Sequence, residues 1–141
     1  MKTYWDTSAA INAAVAPEVA ARLDCGEHVT RLHLLEEFFS TMTGRGVATL
    51  NAEGEPSRVR FRPEECVIWL RDFCKHVAFV ELNPEELLAG MEQAQSRHVQ
   101  GARIYDFSHA LCAVKAQAEE LATRNTEHFQ DLAEKIKVVW P

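Results

Sequence analysis

The chain has no apolar run approaching the ~20 residues that cross a bilayer, and no basic segment leading into a short apolar one. Neither a membrane span nor a secretory leader is therefore expected. It also has no Cys-x-x-Cys pair, since Cys25, Cys66, Cys74 and Cys112 stand apart. Cys66 and Cys74 fall on an apolar helical face, so the thiols read as reduced core residues of a cytoplasmic protein. The histidines show no paired spacing, which argues against a zinc site. No Gly-rich phosphate loop, no Gly-x-Ser-x-Gly elbow, no repeat and no low-complexity segment occurs. Excess positive charge is missing too: 15 Lys and Arg against 21 Asp and Glu leave a net charge of −6. That argues against gripping nucleic acid by charge alone. It does not exclude a nuclease, because acids that hold cations present those cations to phosphate.

What is present fits one domain over residues 1–141 with a sizeable core. Lys2 to Trp5 reads as a buried strand running straight into an Ala-rich helix, Ser8 to Ala16, that stops near Pro17. Glu18 to Asp24 adds a further turn, and Glu27 to Val29 a short strand with Thr30 capping the next helix. Leu34, Leu35, Phe38, Phe39 and Met42 make an amphipathic helix ending at Gly44. Val47 to Phe61, with Asn-Ala-Glu-Gly-Glu-Pro at its middle, suggests a hairpin or an irregular excursion. Pro63 opens a helix whose stripe is Cys66, Val67, Leu70, Phe73 and Cys74. Val77 to Leu82 suggests a parallel strand covered on both faces. Asn83-Pro84-Glu85-Glu86 starts a helix carrying Leu87, Leu88 and Met91. A further helix from near Arg103 bears Ile104, Phe107, Leu111 and Val114, with Ala118 continuing the stripe. Strands at Glu120 to Arg124 and Lys137 to Trp140 close the chain. This alternation predicts a three-layer α/β domain, its mainly parallel central sheet flanked by helices.

The polar residues can now be placed. Asp6 falls at the carboxyl end of the first strand, where ligands bind in open α/β sheets. An N-cap role explains it equally well, with Thr7 and Ser8 as further cap candidates. Asp106 lies in the first turn of its helix, Glu36 and Glu37 mid-helix, and Asn125 directly after a strand. At about 100° per residue, Glu36 and Glu37 flank the apolar stripe at nearly equal angles, so periodicity does not choose between them. His33 and Thr41 make a polar file with Glu37.

Four segments carry a resemblance: Tyr-Trp-Asp-Thr-Ser-Ala at 4–9, Leu-Leu-Glu-Glu-Phe-Phe-Ser-Thr-Met-Thr-Gly at 34–44, Gly-Ala-Arg-Ile-Tyr-Asp at 101–106 and Leu-Ala-Thr-Arg-Asn-Thr-Glu-His-Phe at 121–129. In their order and spacing they resemble the PIN-domain nucleases, and among them the VapC-type toxins of prokaryotic toxin–antitoxin pairs. The resemblance implies a PIN-like fold and a metal-dependent endoribonuclease. It implies Asp6, Glu37 and Asp106 as catalytic acids and metal ligands, and it selects Glu37 over Glu36. Asn125 takes a fourth catalytic position where many relatives carry an acid. An amide offers an oxygen there without adding negative charge, which favours one well-held ion over two. An antitoxin partner, an RNA substrate and a homodimer are implied in the same way.

Carboxylates that converge repel one another unless they share protons or a cation, and oxygen-only ligands select Mg²⁺ or Mn²⁺. Thr7, Ser8 and Thr123 are candidates to hold metal-bound water. Arg103 and Arg124 adjoin the site residues and suit either RNA phosphate or ion pairs with the acids. His109, one turn beyond Asp106, reads as a surface histidine. Other α/β readings fit less well. A haloacid-dehalogenase-type enzyme resembles an Asp-x-Asp pattern where this chain has Ser8, and no mid-chain acid suits a receiver domain. The alternative of weight is a PIN fold impaired in catalysis that serves as an RNA- or protein-binding module.

Overall fold

A computed structural model of the chain describes residues 1–132 and 135–141. Strand β1 is Lys2–Trp5, followed by helix α1, Thr7–Val15, and helix α2, Pro17–Ala20, which runs into a 3-10 turn at Ala21–Asp24. Next come β2, Glu27–Thr30, and α3, His33–Thr43. Strands β3, Val47–Leu50, and β4, Pro56–Val59, precede α4, Pro63–Phe73. The rest is β5, Val77–Phe79; α5, Pro84–Met91; α6, Arg103–Lys115; β6, Glu120–Ala122; α7, Thr126–Phe129; and β7, Lys137–Val139.

Five strands form one parallel sheet in the order β5-β2-β1-β6-β7, and β3 pairs antiparallel with β4 in a separate hairpin. Side chains alternate across β1, and this alternation builds the two outer layers. Trp5 joins Ala9, Leu34, Phe38, Cys66 and Phe73 on the side of α1 to α4. Tyr4 joins Phe107, Ala110, Ala113, Leu121 and Phe129 on the side of α6 and α7. The result is the three-layer α/β architecture expected from the alternation. From β1 the chain winds outward to β2 and β5, then returns to lay β6 on the other flank of β1. The topological switch point therefore lies between the carboxyl ends of β1 and β6, where open sheets leave a ligand crevice.

Several elements differ from expectation. Thr30 does not cap α3; it ends β2, and its hydroxyl donates to the Trp5 carbonyl at 2.8 Å across the sheet. The next helix begins at His33 after Leu32, which supplies no side-chain cap. The apolar run from Val77 yields only three strand residues, and it is not covered on both faces. As an edge strand β5 has a neighbour on one side only, and Phe79 stays 39% exposed. On α4, Cys66, Leu70 and Phe73 are buried while Val67 is exposed. On α6 the buried face is Phe107, Ser108, His109, Ala110, Cys112 and Ala113, and Val114 faces outward. That face departs from the apolar stripe in burying two polar residues, Ser108 and His109, the latter bonded to Tyr4 of β1. Among the described residues, no helix is long and apolar enough to cross a membrane.

Candidate functional site

Asp6 leaves the carboxyl end of β1 and caps α1: its Oδ1 accepts from the Ala9 backbone N–H at 2.8 Å. The cap is thus Asp6 itself, and Thr7 and Ser8 lie inside the helix. The Ser8 hydroxyl donates to Asp6 Oδ1 at 2.8 Å, and the Thr123 hydroxyl to Asp6 Oδ2 at 2.6 Å. Ser8 Oγ also accepts from the Arg124 backbone N–H, and Thr123 Oγ1 from the Asn125 N–H. These bonds lock the turn after β6 onto the turn after β1. Asp6 is only 3% exposed, and burial pushes its carboxyl above the ordinary value. Its neighbour His109 and the three hydrogen bonds offset that only in part.

Glu37 reaches the same place from α3 and Asp106 from α6. Asp6, Glu37, Asp106 and Asn125 line one cleft of about 170 Å³ at the switch point, together with Thr7, Ser8, Thr41, Arg45 and His109. Glu36 is exposed and faces a neighbouring depression instead. Burial pushes the Glu37 carboxyl up, but the hydrogen bond and charge of His109, together with His33 and the Thr7 hydroxyl, outweigh it and hold the group below its ordinary value. Asp106 is raised by burial, against a pull downward from His128, whose Nδ1 lies 3.4 Å from Oδ2.

His109 departs most from the sequence expectation. It is 2% exposed, not a surface histidine, and lines the cleft with the acids. Its Nε2 lies 3.1 Å from Glu37 Oε1 and its Nδ1 2.7 Å from the Tyr4 hydroxyl. A carboxylate only accepts, so Nε2 carries the proton toward Glu37; in the neutral ring Nδ1 then accepts from the Tyr4 O–H. Thr7 Oγ1 lies 3.4 Å from the same Nε2. The sequence does hold a usable signal: Ser108 and His109 interrupt the apolar pattern of α6, one turn after Asp106. His33 lies 3.7 Å from Glu37 Oε1 and stacks on Tyr105.

The two arginines next to site residues in sequence do not pair with the site's acids among the described residues. Arg124 donates to Asn12 Oδ1 at 3.3 Å and lies over the Trp140 ring, and Arg103 is half-buried.

The donor set is all oxygen apart from His109, and it includes a buried carboxylate, Asp6, with no Lys or Arg paired to it among the described residues. That chemistry suits a hard divalent cation. Among the described residues, no three His, Cys, Asp or Glu side chains stand close enough to share one ion directly. Mg²⁺ commonly keeps several waters and takes only one or two carboxylates, so the residues present fit such an ion.

No family model and no curated protein sequence matches the chain. Among solved structures it is similar to a chain in the structure of VapBC-1 from nontypeable Haemophilus influenzae. The two superpose with a TM-score of 0.63 at 16% identity, over 99% of this chain and 98% of that one. The likeness is one of fold and spans the whole chain: the architecture is PIN-like.

Proposed function

We propose that this protein is a metal-dependent endoribonuclease that hydrolyses RNA phosphodiesters, and that it is the toxin of a toxin–antitoxin pair. The observation that carries the reading is the meeting of Asp6, Glu37 and Asp106 in one cleft at the switch point, from three elements far apart in sequence. Carboxylates brought together in a partly buried cleft repel one another unless they share a proton or a cation, and the raised Asp6 and Asp106 carboxyls suit a cation. The VapBC-1 likeness, covering both chains almost completely, supports the fold on which such a cleft is built and suggests an antitoxin partner.

Asp6, Glu37 and Asp106 would hold Mg²⁺ or Mn²⁺ between them, one or two carboxylates directly and the rest through its waters, and Asn125 would offer an amide oxygen to the ion or its water. When bound, such an ion supplies Lewis-acid polarisation of the phosphodiester and a more acidic water. The chain's own residues prepare the place. Thr123, Ser8 and the Ala9 N–H fix the Asp6 carboxylate, so it does not reorient when substrate arrives. His109, anchored by Tyr4, fixes Glu37 and keeps it ionised. Thr7 and Ser8 line the cleft beside these acids, where hydroxyls can hold water.

The test is cleavage of a single-stranded RNA by the purified protein with Mg²⁺, with Mn²⁺ and with EDTA, beside Asp6→Asn. Cleavage that needs the metal and is lost in Asp6→Asn supports the reading. Binding of RNA without cleavage under any metal would make this an RNA-binding PIN fold. A short reading frame directly upstream, whose product co-purifies with this chain and blocks cleavage, would support the toxin assignment.

A further inference from the structure

A second cleft, of about 490 Å³, adjoins the acidic one and shares Ser8, Ile11, Thr41, Arg45 and Asn125 with it. Its character is opposite. Arg45, Arg58 and Arg124 line it with Trp140, and among the described residues no acid does. On a chain of net charge −6 this is a local reversal of sign. Among the described residues none of the three arginines has a carboxylate partner. Two of them are nonetheless fixed: Arg58 Nη1 donates to the Arg45 carbonyl at 2.7 Å, and the Arg124 guanidinium lies 4.8 Å from the Trp140 ring centre. A held guanidinium without a counter-charge is a preorganised anion site.

The hairpin of β3 and β4 supplies half of this wall, and it is clamped to the helix that bears Glu37. The Gly46 N–H donates to the Thr41 carbonyl at 2.8 Å, and the Phe61 N–H to the Met42 carbonyl at 2.8 Å. Gly46 has φ +70°, and a Cβ there would lie 2.2 Å from the Val59 carbonyl oxygen. The arginines are therefore held at a set place beside the acids, with Arg45 in both walls. Trp140 is 56% exposed, an aromatic surface open to stacking.

We propose that this cleft binds the nucleotide next to the scissile phosphodiester of a single-stranded RNA. Arg45, Arg58 and Arg124 take its phosphate, and Trp140 stacks on its base. The assignment rests on the nuclease reading above for the position of the scissile bond. Single strands fit it because an aromatic platform needs an unstacked base, which a duplex withholds. Adjacent sites of opposite sign also divide the work: the arginines bring phosphate to a cleft whose own acids would otherwise repel it.

The experiment is anisotropy titration of a fluorescein-labelled single-stranded RNA in EDTA, so that binding is read without cleavage. Wild type is compared with Arg45→Gln/Arg124→Gln, with Trp140→Leu, and with Arg71→Gln on the distant face of α4; circular dichroism checks each fold. Trp140→Leu should weaken binding on the order of tenfold, the loss of one base stack. Arg45→Gln/Arg124→Gln should lower the slope of log K against log salt by about 0.7 for each phosphate no longer neutralised, and Arg71→Gln should match wild type. Equal affinity of wild type and the cleft variants, or wild-type binding to a duplex as tight as to the single strand, overturns the proposal. If RNA binding is unaffected but capture of a co-expressed protein is lost, the cleft belongs to a protein partner. A wild type that cleaves RNA while its binding ignores these variants removes the cleft and keeps the nuclease. Binding that depends on them without any cleavage in Mn²⁺ removes the nuclease and the scissile-bond placement with it.

Discussion

Asp6 does two things that pull stability in opposite directions. Its Oδ1 caps α1, which stabilises the fold, while its buried charge costs free energy. Asp6→Asn keeps an oxygen for the cap and removes the charge, so the metal-free variant should be more stable than wild type, on the order of 1 kcal/mol. Asp6→Ala removes the cap as well and should be less stable than Asp6→Asn by about 1 kcal/mol. Urea unfolding in EDTA measures both. The pH dependence follows from the direction of the shift. A carboxyl raised in the fold contributes stability that is full below its unfolded pKa and is lost as pH rises through the folded one. The gap between Asp6→Asn and wild type should therefore open on going from acid toward neutral pH. His28 has the other sign. Burial lowers its pKa, and its Nδ1 accepts from the Trp5 indole N–H at 3.0 Å. Its contribution is present above the unfolded value of about 6.5 and is lost as pH falls through the lowered folded one. An NMR titration should show the His28 ring protonating below that ordinary value. At this scale the cleft acids are legible in the sequence, and Thr123 and Ser8 stand out beside them, but that both hydroxyls hold Asp6 shows only when β6 is laid beside β1. His109 looks exposed until α6 is rotated onto the sheet.

At the level of elements, period and punctuation make most pieces legible. The Asn83/Glu86 capping box opens α5, Pro63 opens α4, and Gly44 ends α3. The choice of Glu37 over Glu36 comes from resemblance and not from pattern, since helical angle leaves the two equal. Strand β5 departs from expectation because hydrophobicity reports burial without saying which neighbour provides it. At an edge, half of that apolar run remains open. The hairpin of β3 and β4 is visible in the sequence as an interruption, but its role is not, since nothing local says that Arg45 and Arg58 will line a cleft adjoining the acids. Its attachment has a direct test. Gly46→Ala meets both a positive φ and the Val59 carbonyl, whereas Gly54→Ala at the hairpin tip meets a positive φ in open space. Gly46→Ala should cost more than the ~1 kcal/mol typical of a strained backbone position, and Gly54→Ala about that much. Thermal melts rank the two, and hydrogen exchange over residues 47–59 should rise strongly only in the first.

For the whole molecule, the three-layer α/β architecture follows from strand–helix alternation, its PIN-like character from the resemblance of four segments, and the sheet order then puts the switch point where Asp6 and Asn125 stand. On the proposed function, a cation bound in the cleft should couple metal to global stability. At a hundredfold excess of Mn²⁺ over its dissociation constant, wild type should gain about 2.7 kcal/mol. Asp6→Asn should gain much less, so the order of the two melting curves should reverse when Mn²⁺ is added. Melting curves that move together would mean that Asp6 does not hold the ion. The central claim, that RNA is cut in this cleft, is met most directly by one comparison. Cleavage of a single-stranded RNA in Mn²⁺ is measured for wild type, Asp106→Asn, Glu37→Gln and Glu36→Gln at equal protein concentration. The account predicts that Glu36→Gln cuts like wild type and that Asp106→Asn and Glu37→Gln lose at least a hundredfold, on the order of 3 kcal/mol of transition-state stabilisation. Full activity in Asp106→Asn or Glu37→Gln, or loss confined to Glu36→Gln, would contradict it.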